Sequence, residues 1–145
     1  MQANLKTPLF IAVLALITFT LYPWACSATT KAQAVECDVH AGPCSAVLSG
    51  CEVSLDISPK PVKAMQDLTF TVTLTGEKAD ASPYVDLGMA GMNMGRNRVA
   101  LKPVGEFVFR GNGVIVRCPS GRRTWKAKVT VPDRGSVEFI FNVIY

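Results

Sequence analysis

Leu68-Thr69-Phe70-Thr71-Val72-Thr73-Leu74-Thr75 alternates an apolar residue with threonine for eight positions and stops at Gly76. In an extended chain successive side chains point to opposite faces, so this run makes one continuous apolar face; wound as a helix, the same letters would scatter apolar groups around the cylinder. Threonine and valine, branched at Cβ, also suit a pleated surface. The pattern recurs. Val53, Leu55 and Ile57 alternate with Ser54, Asp56 and Ser58 until Pro59 and Pro61 break the run, and Trp125, Ala127, Val129 and Val131 alternate with Lys126, Lys128 and Thr130. Pro132 to Gly135 then turns the chain into Val137, Phe139, Phe141 and Val143. Shorter strands are predicted at Tyr84–Leu87, Val99–Leu101, Phe107–Phe109 and Val114–Cys118, with Gly105-Glu106 and Gly111-Asn112-Gly113 read as the turns between them. No stretch after Gly50 has helical spacing. Seven or eight short antiparallel strands predict an all-β fold, an immunoglobulin-like β-sandwich with Trp125 as core anchor; a small barrel is the alternative.

The chain before this region has a different character. Lys6 precedes an uncharged apolar run from Pro8 to Leu21. It is shorter than the roughly 18 to 20 residues that span a bilayer, and small residues follow it, which predicts an N-terminal signal peptide and an exported or periplasmic protein. Cleavage after Ala28 suits the distance from the apolar run, and Ala32-Gln33-Ala34 offers the better small-x-small match further on. Cys26 is a possible lipidation site and hence a membrane anchor, although Pro23-Trp24-Ala25 lacks the aliphatic residue expected three before a lipidated cysteine; an uncleaved signal is the other route to the membrane. The expected organisation is a signal peptide over 1–28, reaching to 34 at the latest, a cysteine-containing segment over 29–50, and a sandwich domain over 51–145.

Beyond Ala34 the chain carries 13 Lys and Arg against 11 Asp and Glu, a net charge of +2. Glu36 to Asp86 holds 8 acids and 3 bases, whereas Arg96 to Arg134 holds 10 bases and 2 acids. The bases are spread along predicted strands and turns rather than massed, the pattern of a solvated face, and an exported protein does not normally meet nucleic acid.

Four cysteines follow the signal, Cys37, Cys44, Cys51 and Cys118. In an oxidising compartment they predict two disulfides in one of three connectivities. Gly42-Pro43 permits a local Cys37–Cys44 bridge, which would leave Cys51 to pair with Cys118; Cys44–Cys118 is the rival. His40, the chain's one histidine, lies between the first two cysteines. A Cys/His metal cluster there would need reduced thiols, so His40 enters at most as a fourth ligand folded over from the N-terminal segment.

The candidate chemistry lies in Gly88-Met89-Ala90-Gly91-Met92-Asn93-Met94-Gly95, which holds three of the five methionines. Thioether sulfur favours Cu(I), has no proton to lose and remains a ligand where thiols would oxidise. Met92 and Met94 share a face in an extended backbone, and the glycines permit the bend that would bring Met89 to them. The expected cofactor is therefore copper, as Cu(I) bound by Met89, Met92 and Met94. The competing expectation is that the same methionines cap the open end of the sandwich or form an apolar surface for a protein partner.

The opening strand followed by Leu68-Thr69-Phe70-Thr71-Val72, the Met-x-x-Met-x-Met-Gly loop, Gly105-Glu106-Phe107 and Gly121-Arg122-Arg123-Thr124-Trp125 give the stretch from Val53 to Val143 a resemblance to the YtkA-like and FixH-like exported β-sandwich proteins. The resemblance implies copper or heavy-metal handling. In that group histidine often stands beside the methionine loop; here Asn93 and Arg96 do. A single histidine allows no Ser-His-Asp set beyond His40, and no glycine-rich phosphate loop follows a strand, so a non-enzyme is expected. Two functions follow from the sequence: a copper-binding or copper-delivery module, and a non-catalytic structural or protein-interaction domain of the cell envelope that uses an edge strand or the Arg122-Arg123 turn.

Overall fold

In the computed structural model, which describes residues 32–76 and 79–145, the predicted alternation becomes alternating burial. The run Pro8–Leu21, the Ala28 cleavage position and Cys26 lie outside the described residues. Ten strands are present among the described residues: β1 (Gln33–Glu36), β2 (Cys44–Leu48), β3 (Cys51–Ser58), β4 (Asp67–Thr75), β5 (Tyr84–Gly88), β6 (Arg98–Ala100), β7 (Lys102–Pro103), β8 (Val108–Val114), β9 (Thr124–Val131) and β10 (Gly135–Asn142). They form two five-stranded sheets, ordered β1-β10-β9-β5-β6 and β2-β3-β4-β8-β7. The inward rows are the residues the sequence pattern marks: Val53, Leu55 and Ile57 of β3, Leu68, Phe70, Val72 and Leu74 of β4, Trp125, Ala127 and Val129 of β9, and Val137, Phe139 and Phe141 of β10 are all buried. No Asp, Glu, Lys, Arg or other polar residue is buried among them. A core this uniformly apolar gains from area removed from water and leaves almost no polar group to satisfy.

The architecture differs from the sequence expectation: among the described residues ten strands stand where seven or eight were expected, and of the expected strand Val114–Cys118 only Val114 lies in a strand, at the end of β8. The segment before Gly50 supplies β1 and β2, so its described part belongs to the sheets. β1 also pairs with β10 in parallel, Gln33 opposite Val137 and Glu36 opposite Ile140, where antiparallel strands alone were expected. Finally, Gly111-Asn112-Gly113 is not a turn but the middle of β8, paired with Phe70, Thr69 and Leu68 of β4. A Cβ on Gly111 would stand 2.3 Å from the Ala100 carbonyl oxygen, and one on Gly113 would stand 2.6 Å from Val99 Cγ2. The glycines are there because β6, an edge strand of one sheet, crosses directly over the backbone of β8 before the chain enters β7 of the other sheet.

Cys37 and Cys44 form a disulfide that joins the end of β1 to the start of β2 and so links the two sheets at their edge. Cys51 and Cys118 are free and buried, which corrects the expected second bridge. The reason is their placement. Cys51 opens β3 beside Thr75, while Cys118 follows β8 beyond Val114, which pairs with Asp67 at the other end of β4. Eight strand residues at about 3.3 Å each separate those ends, far beyond the reach of a disulfide. The rival Cys44–Cys118 pairing is excluded because Cys44 is already bonded.

Candidate metal centre

The methionine loop begins where β5 ends, and its stems are held together. Asp86 of β5 stands opposite Arg98 of β6, and the guanidinium grips the carboxylate with two hydrogen bonds, Nε to Oδ1 at 2.8 Å and Nη2 to Oδ2 at 3.1 Å. Arg98 also lies 3.7 Å over the Tyr84 ring, and its pKa is raised first by the hydrogen bond to Asp86. Asp86 is thereby occupied as the clamp of the loop rather than presented to a metal.

Within the loop, the Met92 N–H donates to the Met89 carbonyl, and the two residues form an isolated antiparallel bridge. Gly91, third of the four residues, has φ +71° while Ala90 does not enter the left-handed region, the geometry of a type II turn, which favours glycine at that position. Directly opposed residues project to the same face, so the turn brings Met89 beside Met92, the bend that the sequence required. Asn93 Oδ1 then accepts a hydrogen bond from the Gly95 N–H, a second tight turn that closes the loop. Met89 is 3% exposed and belongs to the core, while Met92 and Met94 are half-buried and pack against it; Ala90, Gly91, Asn93 and Gly95 face solvent. All three thioethers therefore lie on the protein side of the loop.

The sequence did not anticipate the neighbour that meets Met92. Cys118 Sγ is 3.9 Å from Met92 Sδ and 2.9 Å from Ser120 Oγ. Its thiol pKa is lowered, chiefly by the Ser120 hydroxyl, against burial, which raises it, with backbone hydrogen bonds at Ser120 and Arg122 and the Arg122 charge adding to the lowering. The segment carrying it is tied down on both sides. The Cys118 N–H donates to the Tyr145 hydroxyl at 3.2 Å, that hydroxyl donates to the Arg122 carbonyl, and Arg122 Nη1 reaches the Ala90 carbonyl at 3.3 Å. Nothing in the linear spacing of Met92 and Cys118 signals this meeting.

His40 is committed elsewhere. Its Nδ1 accepts from the Val62 N–H at 3.0 Å and its Nε2 lies 3.0 Å from the Asn142 carbonyl, which fixes the neutral tautomer with the proton on Nε2. It is a clip between the N-terminal segment, the chain after β3 and the end of β10, and three strand spacings separate β5 from β1 in the sheet. Its expected part as a fourth copper ligand is corrected accordingly. His40→Ala leaves the Val62 N–H without its partner and is expected to cost about 2 kcal/mol, read by urea unfolding. Arg96 is exposed, and Arg117 and Arg123, also exposed, lie over the Tyr145 ring at 5.5 and 5.8 Å.

Among the described residues no three His, Cys, Asp or Glu side chains gather as a hard or borderline metal would need. The donors that do meet, Met92 and Cys118, are sulfur, and sulfur suits a soft monovalent ion. Compared with protein families, curated proteins and solved structures, the chain matches none.

Proposed function

We propose that this chain is an exported copper-binding or copper-delivery module that holds Cu(I) through Met89, Met92 and Met94, in the manner its resemblance to YtkA-like and FixH-like immunoglobulin-like sandwiches implies, and that it is not an enzyme. The observation that carries the reading is the type II turn at Met89–Met92, which puts two thioethers on the same side of the loop with the third two residues on. A rigid sandwich with a clamped, glycine-jointed loop at one end suits an ion that must be held and then passed on, in metal resistance or oxidase assembly. The Cys37–Cys44 disulfide supports an oxidising compartment, where a thioether site persists. Among the described residues no helix is long and apolar enough to cross a membrane.

The test is competition for Cu(I) between the protein and a chromogenic chelator under nitrogen. Replacing Met89, Met92 and Met94 together by leucine, which keeps volume and apolarity, is expected to abolish one-to-one binding while leaving the protein folded by circular dichroism, since such swaps cost less than about 1.5 kcal/mol each. An unchanged affinity in the triple variant would remove the proposal.

The same reading bears on the leader. β1 starts at Gln33, so cleavage after Ala34 would cut a strand that pairs with β10, whereas cleavage after Ala28 leaves it whole. The intact mass of exported protein is expected to place the N-terminus at Thr29.

A second reading, a structural or protein-interaction domain of the envelope, is favoured by one surface. Met65, Val114, Val116 and Ile144 are all exposed, and the Met65 N–H bonds to the Ile115 carbonyl while Lys63 bridges to Ile144, so they share one apolar region.

A further inference from the structure

Resting on the proposal that the loop binds Cu(I), we infer that the site is not built of thioethers alone: Cys118 Sγ and Met92 Sδ are its two fixed ligands, with the thiolate supplying the charge, and Met89 and Met94 compete for the third position. The sulfur spacing is the first argument. Metal–sulfur bonds of about 2.3 Å opened to 120° set two donor atoms about 4.0 Å apart, and the two sulfurs stand 3.9 Å apart without any rearrangement. The second argument is chemical. Three neutral thioethers leave the positive charge of the ion uncompensated in a half-buried site, whereas one thiolate neutralises it where water is largely excluded.

The third argument is the scaffolding. Cys118 is 1% exposed, yet it is neither bridged nor packed solely among hydrocarbon: it faces a sulfur and a hydroxyl. Its backbone is fixed through the Tyr145 hydroxyl, and Arg122 ties its segment to Ala90 in the middle of the methionine loop. Ligands held this way lose little freedom when the ion arrives. Cys51, the other free thiol, has none of this; its Sγ donates to the Thr75 carbonyl at the far end of the sandwich. On loading, the Cys118 S–H bond breaks and its proton passes to solvent as a sulfur lone pair forms the bond to copper; the ion stays monovalent and no electron is transferred.

The experiment uses the full chain with Cys26→Ser and Cys51→Ser, so that Cys118 is the one thiol outside the Cys37–Cys44 disulfide, and with ascorbate to keep copper monovalent while leaving that disulfide intact. Cu(I) is titrated against a chelator, and Ag(I) serves as a redox-inert check. The parent is expected to bind one ion with a thiolate-to-copper absorption band in the ultraviolet. Adding Cys118→Ser is expected to remove the band and weaken binding by more than about 100-fold, beyond the 10- to 100-fold that loss of an outer-shell partner costs. Should Cys118→Ser prove unfolded by circular dichroism, the band and the X-ray absorption sulfur shell of the loaded parent decide alone. Equal affinity in Cys118→Ser, or a parent without the band, overturns the thiolate ligand and leaves the thioether reading standing. A band and full affinity that survive Met92→Leu overturn the pairing of Met92 with Cys118, and survival in the triple leucine variant overturns the loop reading as well.

Discussion

Gly111→Ala is expected to destabilise the fold by about 3 kcal/mol or more, at or beyond the upper end of ordinary overpacking, and to lower the melting temperature by roughly 15 °C. The new methyl group would stand 2.3 Å from the Ala100 carbonyl oxygen, 2.9 Å from Leu101 Cδ2 and 3.1 Å from Val99 Cγ1. A side chain can rotate away from such a clash, but the Ala100 carbonyl is backbone at the point where the chain passes from β6 to β7. Relief therefore requires β6 to lift from β8, and β6 carries one stem of the methionine loop. Gly113→Ala meets Val99 Cγ2 at 2.6 Å and Phe70 Cε2 at 3.2 Å, both side-chain atoms, and is expected to cost less, about 1 to 2 kcal/mol. Gly42→Ala, with nothing within 4 Å, is the neutral control. Thermal unfolding followed by circular dichroism orders the three; a Gly111→Ala protein that melts with Gly42→Ala would show that β6 does not press on β8.

This position also shows why part of the fold could be read from sequence and part could not. β3, β4, β9 and β10 announce themselves because each buries a row of large side chains, and the apolar letters fall on every second residue. β8 buries backbone instead. Its inward positions beyond Phe109 are Gly111 and Gly113, and a glycine chosen for close approach is written with the same letter as a glycine chosen for a turn. β2 hid for a different reason: Cys44, Ala46 and Leu48 point inward, but Val47 on the outer face is apolar too and is 62% exposed, which breaks the alternation. β1 is exposed at every position but Val35 and is held by its parallel pairing to β10, a contact with no local signature.

The candidate site divides in the same way. Local chemistry made the methionine loop legible, since Gly91 in the third place of a four-residue turn is what brings Met89 to Met92. The meeting of Met92 with Cys118 depends on how the β5–β6 loop of one sheet meets the β8–β9 loop that crosses between the sheets, and the commitment of His40 depends on Val62 and Asn142. Cysteine counting suggested even pairing, yet pairing requires both sulfurs at the same end of the fold. Cys51 and Cys118 are separated by the length of β4.

Trp125→Ala is expected to cost about 3 to 5 kcal/mol, whereas Trp125→Phe is expected to cost only about 1 kcal/mol. Trp125 has no exposed surface and is among the largest buried side chains, opposite Phe141 in the sheet, so truncation to alanine opens a cavity that rigid strands on both sides cannot close. Phenylalanine retains most of that contact. It also removes a liability, because Trp125 Nε1 is buried without a hydrogen-bond partner and its desolvation opposes folding. Urea unfolding of the two variants reads the packing directly, because both remove the indole N–H and its relief cancels in the difference; equal losses would mean that phenylalanine keeps none of the contact. The comparison reaches the site as well. Gly88 pairs with Lys126, so the next step along the two strands places Met89 beside Trp125. A cavity there frees Met89 to sink further into the core, away from Met92. Under the Cu(I) proposal Trp125→Ala therefore weakens binding in a protein that is still folded at low temperature, while Trp125→Phe keeps the parent affinity.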